Sequence, residues 1–204
     1  AGWMQNHVTG EVQKWSVTGH VLSPEERERQ QQERAERLQQ AELARAQEHD
    51  TAAIRALRVW DSLEDAGEHQ YLRDKEVEAF GLRQVQVDDR QILVVPLRNV
   101  EGNFRGYQLI EEDGSKRFFA GMEKKGNFHT IAAEGKDFSQ GEILICEGYA
   151  TGASLHMATK KPVAVALDAG NLETVARALR EKFPQAQITI CADNDHSLKR
   201  NGQP

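Results

Sequence analysis

Short apolar segments alternate with helical segments in the last third of the chain, and this alternation restricts the fold more than any other feature. Strands are predicted where the apolar segments are short, over 142–146, 163–167 and 187–192. Helices are predicted between them, over 152–158 and 172–182. This order is typical of right-handed strand–helix–strand units on a parallel sheet. The predicted fold class is therefore α/β with a Rossmann-like parallel sheet, whose last strand is expected beyond Pro204.

Before this region, apolar and polar residues alternate with a period of two, and this pattern predicts a small β-meander subdomain. Its strands are expected over 92–97, 104–110 and 116–119, with residues 128–131 as a candidate further strand. Pro96 cannot donate a ladder hydrogen bond, so its strand is expected at an edge or at a bulge. Helical periodicity over 51–68, and a short helix from Tyr71 that ends at Gly81, precede the meander.

A charged helix is predicted over 23–50. Ser23 and Glu26 have the spacing of a capping box at its start. Its only large apolar residues are Leu38 and Leu43, so it lacks a stripe that could face a core. We interpret it as a solvated spacer. The alternative is an arm that follows DNA, but its acids outnumber its bases.

A small β-ribbon is predicted over 1–22, with Asn6–Val8 paired to Glu11–Trp15. Such a ribbon is too small to be stable alone. We therefore expect Trp3 and Trp15 to need a partner surface.

The changes in composition divide the chain into four predicted segments. They are a β-ribbon (1–22), a spacer helix (23–50), a helical and β-meander subdomain (51–135) and a C-terminally incomplete α/β domain (136–204). The net charge of −6 arises within 23–90, which holds 17 acids and 11 bases. This balance excludes a globally basic coat for nucleic acid but not a local basic patch.

Cysteine content and hydropathy exclude several classes of protein. Cys146 and Cys191 cannot form a disulfide framework, and the sequence lacks the Cys and His spacing of a zinc site. The sequence also lacks an apolar run long enough to cross a bilayer. A cytoplasmic protein without membrane contact is expected. The chain begins without Met, so we also expect a fragment of something longer.

Acidic residues follow two of the predicted parallel strands. Glu147 comes directly after the first strand, and Asp193 and Asp195 follow the third. Open parallel sheets bind ligands at the carboxyl ends of their strands. Carboxylates crowded there repel one another, and Mg²⁺ is the simplest neutralising partner. Phosphoryl chemistry is the natural use of such a site. The alternative is an Asp-x-Asp pair that only caps the next helix.

The residues around these acids resemble the topoisomerase–primase (Toprim) domain. The signature of that domain is Glu-Gly after the first strand and Asp-x-Asp after the third, and residues 143–149 and 190–195 match it. Residues 71–128 are laid out like the segment that precedes the Toprim domain in bacterial replicative primases. The sequences of residues 148–152 and 165–171 are similar to those of primases of conjugative plasmids, integrative elements and phages.

This resemblance implies the catalytic core of a DNA primase, which joins ribonucleotides along a single-stranded DNA template with Mg²⁺ or Mn²⁺. It implies metal binding or acid–base work for Glu147, and a metal-binding pair in Asp193 and Asp195. Asp168 follows the second predicted strand and is either a further metal ligand or the start of a helix capped by Asn171. The implied partners are single-stranded DNA, nucleoside triphosphates, and a helicase or another replication protein.

Four basic residues lie in and after the last predicted meander strand: Lys116, Arg117, Lys124 and Lys125. Interleaved with phenylalanines, they form a candidate patch for template or nucleotide phosphates. We expect them to line a groove between a separate meander subdomain and the parallel sheet. The alternative is a solvated turn. Arg98, beside the preceding turn, is a weaker candidate.

Two other functions remain open on the sequence. A Toprim nuclease or strand-passing enzyme would use the same carboxylates to cleave phosphodiesters, and a topoisomerase would also need a nucleophile among Tyr71, Tyr107 and Tyr149. A binding module would hold single-stranded DNA or a partner without catalysis. The intact acids argue against lost catalysis, because buried like charges are unfavourable without a use.

Overall fold

The structure, a computed structural model, describes residues 2–6, 8–15, 23–133, 138 and 141–192. The chain divides into two compact units, 1–45 and 46–204. The finer division into four segments stays a prediction.

The N-terminal unit contains a two-stranded antiparallel ribbon. Strand β1 is Gly2–Gln5 and strand β2 is Val12–Trp15. The expected first strand over 6–8 is therefore wrong. Asn6 belongs to the turn instead, because its carbonyl accepts from the Gly10 amide at 2.7 Å and its side chain accepts from the amide of residue 8 at 2.9 Å. The ribbon leaves its apolar side chains exposed, including both tryptophans.

One continuous helix, α1, runs from Pro24 to Asp61. The capping box is confirmed: the Glu26 amide donates to Ser23 Oγ at 3.2 Å, and the Ser23 amide donates to the Glu26 carboxylate at 2.8 Å. The expected boundary near residue 50 is wrong, because Thr51 continues the helix and its hydroxyl donates to the Gln47 carbonyl at 2.8 Å. Burial begins only at Ala52.

An antiparallel sheet of five strands forms one half of the second unit, in the order β3-β4-β5-β6-β7. Its strands are β3 (Glu64–Asp65), β4 (Arg83–Val87), β5 (Arg90–Arg98), β6 (Phe104–Ile110) and β7 (Lys116–Phe118). A short helix, α2 (Gln70–Asp74), lies between β3 and β4. Pro96 lies inside β5, but the last β4 pair is Arg83 with Val94. Pro96 is thus at a local edge, next to the bulge between Leu97 and Arg98.

A sheet of four strands forms the other half, in the order β11-β9-β10-β8. Its strands are β8 (His129–Ile131), β9 (Glu142–Cys146), β10 (Val163–Val165) and β11 (Gln187–Cys191). The last three are parallel and are connected by α3 (Tyr149–Thr159) and α4 (Leu172–Lys182). The predicted α/β class with a parallel sheet is confirmed. The strand expected beyond Pro204 lies outside the described residues.

Strand β8 joins the parallel sheet rather than the meander. It pairs antiparallel with β10, with His129 opposite Val165. Just before it, Phe128 forms a two-way backbone bridge with Arg98 of β5, at 2.9 and 3.0 Å. A single stretch of chain therefore connects the two sheets through backbone hydrogen bonds.

Apolar residues fill three layers of the second unit. Leu93, Val95 and Ile110 of the meander share one buried cluster with Leu144 and Val165 of the parallel sheet. The opposite face of the parallel sheet packs against α4, and the opposite face of the meander packs against the end of α1. The two sheets thus meet through a shared core along this face, where an open groove was expected. The helices within the described residues are too short or too polar to cross a membrane.

Candidate active site at the carboxyl edge of the parallel sheet

The three parallel strands end level with one another. Val165 and Cys191 are both in register with Cys146, so β10, β9 and β11 stop side by side. The chain that leaves this edge carries Glu147 after β9, Asp168 after β10 and the Asp-x-Asp sequence after β11. Asp193 and Asp195 lie outside the described residues, so their positions stay predictions.

Glu147 occupies the turn between β9 and α3. Its side chain is half-buried, and with the described residues its carboxylate makes neither a hydrogen bond nor an ion pair. Gly148 is the N-cap of α3 and provides no side-chain cap. The free amides at this end of the helix and the helix dipole favour negative charge nearby. The turn thus presents, beside a positive helix end, a carboxylate that has no partner among the described residues.

Close packing of α3 on the sheet explains Gly152, the second glycine of the Gly-Tyr-Ala-Thr-Gly sequence. A Cβ on Gly152 would lie 2.5 Å from Val165 Cγ2 and 3.1 Å from Cys146 Sγ. Tyr149, the first residue of α3, is fully buried, and its hydroxyl donates to the Glu78 carbonyl and accepts from the Phe80 amide, both at 2.7 Å. These contacts fix the start of α3 and the turn that carries Glu147.

Asp168 uses both of its carboxylate oxygens. Its Oδ1 accepts from the Gly170 amide at 2.9 Å, and its Oδ2 accepts from the Lys124 ammonium at 2.7 Å. The residue before it, Leu167, has a φ of +62°, a left-handed conformation that β-strands and helices do not use. Asp168 caps the 3₁₀ turn Ala169–Asn171 in this arrangement. A metal-binding role for Asp168 stays a prediction, and it would require Lys124 to move.

The structure separates the predicted basic residues into two groups. Lys124 reaches the carboxyl edge through Asp168, and its ammonium lies 5.2 Å above the Phe118 ring. Lys116 Nζ lies 4.0 Å from the position that a Cβ on Gly148 would take. These two lysines of the meander region therefore lie at the ends of β10 and β9.

The remaining basic residues make other contacts. Arg117, next to Lys116 on β7, pairs with Glu111 at 3.1 Å. Arg98 donates to the Gly102 carbonyl at 3.1 Å and stacks over Phe104. Lys125 is exposed. The five residues thus do not line one groove.

Comparison with known proteins identifies the α/β part of the chain. Residues 142–203 match the Toprim domain family. This region is a Toprim domain. The resemblance found in the sequence motifs is confirmed, and the edge described above is the carboxyl edge of the Toprim sheet.

Homology extends beyond the Toprim domain to nearly the whole chain. The chain is 33% identical over 201 residues to DNA primase TraC of Escherichia coli, covering 98% of this chain and 19% of that protein. A second Escherichia coli DNA primase TraC is 34% identical over 200 residues, covering 97% of this chain and 14% of that protein. The chain is thus homologous to a minor part of each relative's length.

A solved structure shares the fold. It is described as the bacteriophage T7 lagging-strand DNA polymerase interacting with primase domains bound to an RNA/DNA hybrid and dTTP. The TM-score is 0.50 at 16% identity, over 65% of this chain and 70% of that one. At this identity the match supports the fold alone.

A metal site within the Toprim domain cannot be assembled from the described residues alone. Among the residues that the structure describes, His, Cys, Asp and Glu side chains form no group of three that could hold a metal ion. Glu147 and Asp168 are the described members of the predicted set, and Asp193 and Asp195 lie outside the described residues.

The three tyrosines and His129 are buried side chains. Tyr71, Tyr107 and Tyr149 are all buried, and burial raises the pKa of each above its usual value of 10.0. None of the three is therefore an accessible nucleophile for strand passage. Burial also lowers the pKa of His129 to about 4, and its Nε2 contacts the Phe80 carbonyl at 2.8 Å.

Sequence reasoning missed one residue at this edge. In one of the two alternatives for Asp168, Asn171 caps the following helix, but it makes no side-chain cap bond to α4. Its amide instead contacts the loop over 123–127, which carries Lys124. No local signal in the sequence connects residues that lie 45 positions apart.

Proposed function

We propose that this chain is part of the catalytic core of a DNA primase, which joins ribonucleotides along a single-stranded DNA template. The proposal is carried by the level ending of β9, β10 and β11 in a Toprim domain, with acids following each strand. It is supported by homology over 98% of the chain to a DNA primase. The chain spans only 19% of that relative, so the activity belongs to the proposal.

The acids of the edge are the proposed ligands of Mg²⁺ or Mn²⁺. Glu147, Asp193 and Asp195 offer oxygen donors only, which is the ligand type that these hard cations prefer. Crowded carboxylates are also mutually repulsive unless a cation neutralises them. When bound, the cation would offset the negative charge that develops on the attacking hydroxyl and on the leaving pyrophosphate.

The lysines at the edge are the proposed contacts for the triphosphate. Lys116 lies beside the start of α3, where its charge adds to that of the free helix amides. Lys124 is held by Asp168 at 2.7 Å, so its ammonium is oriented before a nucleotide arrives. A phosphate that approaches Lys124 would compete with Asp168 for the same ammonium.

Single-stranded DNA and a helicase or another replication protein are the proposed partners. DNA is required as the template by the proposed reaction itself. Sequence-independent contacts to its phosphates would come from basic side chains, and such binding weakens as salt rises.

Primer synthesis by matched variants of the complete protein tests this function. Glu147→Gln removes the charge at the carboxyl end of β9, and Glu142→Gln removes one at the other end of the same strand, where Glu142 pairs with Lys161 at 2.7 Å. We expect Glu147→Gln to reduce ribonucleotide incorporation by about 10²-fold or more and Glu142→Gln to change it little. Full incorporation by Glu147→Gln would contradict the role of Glu147.

The same assay separates primase from nuclease chemistry. Labelled single-stranded DNA is incubated with the divalent cation, with and without ribonucleoside triphosphates. Extension products that need the triphosphates support the primase. DNA fragments that appear without triphosphates, and that Glu147→Gln abolishes, would instead assign a nuclease. Binding of DNA without either product would assign a binding module.

A further inference from the structure

Asn171 is buried at the start of α4, yet its side chain does not serve that helix. Only 2% of it is exposed. An asparagine at an N-cap usually accepts a hydrogen bond from an amide in the first turn of its own helix. Here the side-chain oxygen accepts instead from the Gly126 amide, at 2.8 Å and 45 positions away.

Both donors of the Asn171 amide are used as well. Its Nδ2 donates to the Asn127 carbonyl at 2.9 Å and to the Ala166 carbonyl at 3.0 Å. Ala166 directly follows β10 at the carboxyl edge. The side chain therefore joins the loop over 123–127 to the end of a Toprim strand through three hydrogen bonds.

The loop that Asn171 holds is ordered by its own contacts around Lys124. The Asn127 amide donates to the Lys124 carbonyl at 3.1 Å, and Asn127 Nδ2 donates to the Glu123 carbonyl at 2.8 Å. Gly126 has a φ of +77°, which only glycine adopts without strain. The Lys124 carbonyl is thus held by this turn, and Asn171 in turn holds the turn through Gly126 and Asn127.

We propose that Asn171 is a positioning residue, which places the Lys124 ammonium at the carboxyl edge to receive the phosphates of a nucleoside triphosphate. This inference rests on the proposed primase function. Asn171 itself contacts backbone groups only, so its effect on nucleotide binding passes through the loop. Leu167 supports the same arrangement, because strained backbone conformations are retained mainly where the surrounding structure requires them.

Two substitutions of Asn171 separate positioning from helix capping. Asn171→Ala removes the three hydrogen bonds of the clamp and takes no side-chain cap bond from α4, because Asn171 makes none. Asn171→Asp keeps an N-cap residue and adds a negative charge that the N-terminus of α4 favours, but its carboxylate would face the carbonyls of Asn127 and Ala166, to which the amide now donates. If Asn171 acted only through helix stability, the Asp variant would retain wild-type behaviour.

A double-mutant cycle with Lys124 tests the route of the effect in the complete protein. We expect Asn171→Ala and Lys124→Ala each to raise the KM for ribonucleoside triphosphates about tenfold with a smaller change in kcat, and Asn171→Asp to resemble Asn171→Ala. The KM of the double variant should be no higher than that of Lys124→Ala, because both substitutions remove the same contact between Lys124 and the triphosphate. Faster hydrogen exchange of the Gly126 amide should accompany loss of the clamp.

His69→Ala is the matched structural control. His69 is also fully buried and also bridges two segments, through the Gln91 carbonyl at 2.9 Å and the Tyr71 amide at 3.2 Å, but these partners belong to β5 and α2 and not to the loop over 123–127. The His69→Ala substitution should lower the melting temperature. It should not raise the KM when the variant and the wild type are assayed at a temperature where both are folded.

Three results would overturn the inference while leaving the primase function intact. They are an unchanged KM in Asn171→Ala, an unchanged KM in Lys124→Ala, and full additivity of the two effects in the double variant. Absence of incorporation by the wild-type protein would overturn the proposed function and this inference with it.

Discussion

The ammonium of Lys124 lies 2.7 Å from the carboxylate of Asp168, so a basic residue that follows the meander is joined to an acid at the edge of the Toprim sheet. The two side chains are 40% and 36% exposed, and an ion pair of that exposure adds little to stability, about 1 kcal/mol or less. The pair is therefore better suited to orienting two groups than to holding the fold together. Breaking it should affect nucleotide binding more than melting.

The first prediction concerns the aspartates after β11. Asp193→Asn in the complete protein should reduce primer synthesis by about 10²-fold or more, because it removes a charge proposed to bind the divalent cation. Folding should be unchanged or slightly improved, since a repulsive carboxylate is lost. Ribonucleotide incorporation and thermal melting measure the two effects. Asp89→Asn, in an exposed turn, is the control, and a large fall in melting temperature for Asp193→Asn would assign it a structural role.

The second prediction compares neighbours on β7. Lys116→Ala should weaken nucleotide or DNA binding, because Lys116 lies at the edge beside Gly148. The slope of the logarithm of the binding constant against the logarithm of salt concentration should fall by the amount expected for about one phosphate contact. Arg117→Ala should leave both unchanged, because Arg117 pairs with Glu111 instead. Binding titrations over a range of salt concentration measure the slopes. Equal slopes for the two variants would remove Lys116 from the site.

The third prediction concerns the glycine under α3. Gly152→Ala should destabilise the protein by about 1–3 kcal/mol, because the added methyl would lie 2.5 Å from Val165 Cγ2 in a packed interior. Gly67→Ala is the control, since a Cβ there meets nothing within 4 Å. Denaturant unfolding measures both. A Gly152→Ala protein as stable as wild type would mean that α3 can move away from the sheet freely.

The fourth prediction concerns pH. Burial lowers the pKa of His129 to about 4 from the ordinary 6.5, so the unfolded chain binds a proton at this residue before the folded protein does. The contribution of neutral His129 is therefore fully present above pH 6.5 and is lost as the pH falls towards 4. The loss at pH 4 is on the order of 3 kcal/mol.

Urea unfolding at pH 7 and at pH 4.5 checks this effect. Carboxylates also titrate in this range. The loss in free energy of unfolding between the two pH values is therefore compared for the wild type and His129→Gln. The Gln side chain does not titrate but can still donate to the Phe80 carbonyl. We expect a smaller loss of stability in His129→Gln. Equal losses would show that His129 titrates normally.

Local sequence patterns correctly predicted the strands and helices whose bounds depend on residues adjacent in the sequence. The bounds of β6, β9 and α4 match the expected ranges, because turn residues on either side of β6, a short apolar run in β9 and a helical stripe in α4 mark them locally. Strand β4 was missed, since its Arg-Gln-Val-Gln-Val sequence is half polar and reads as a loop. It exists because β5 pairs with it along its full length.

Contacts between distant segments could not be predicted. The sequence of β8 gives no sign that it pairs with β10, and the Asn171 side chain meets a loop 45 positions away. At the candidate site, Glu147 was located from its position after a strand, whereas the division of the basic residues into edge and non-edge groups depends on the meander's three-dimensional packing.

The antiparallel position of β8 determines what would happen if the Toprim segment were produced alone. A fragment that begins at β9 would lack β8, and the whole backbone edge of β10 opposite β9 would be left without its ladder partner. The residues of β10 are Val163, Ala164 and Val165, all fully buried here. An uncovered apolar strand of this kind is a template for pairing with other chains. Such a fragment would tend to self-associate, and its solubility would depend on retaining the residues from 129 onwards.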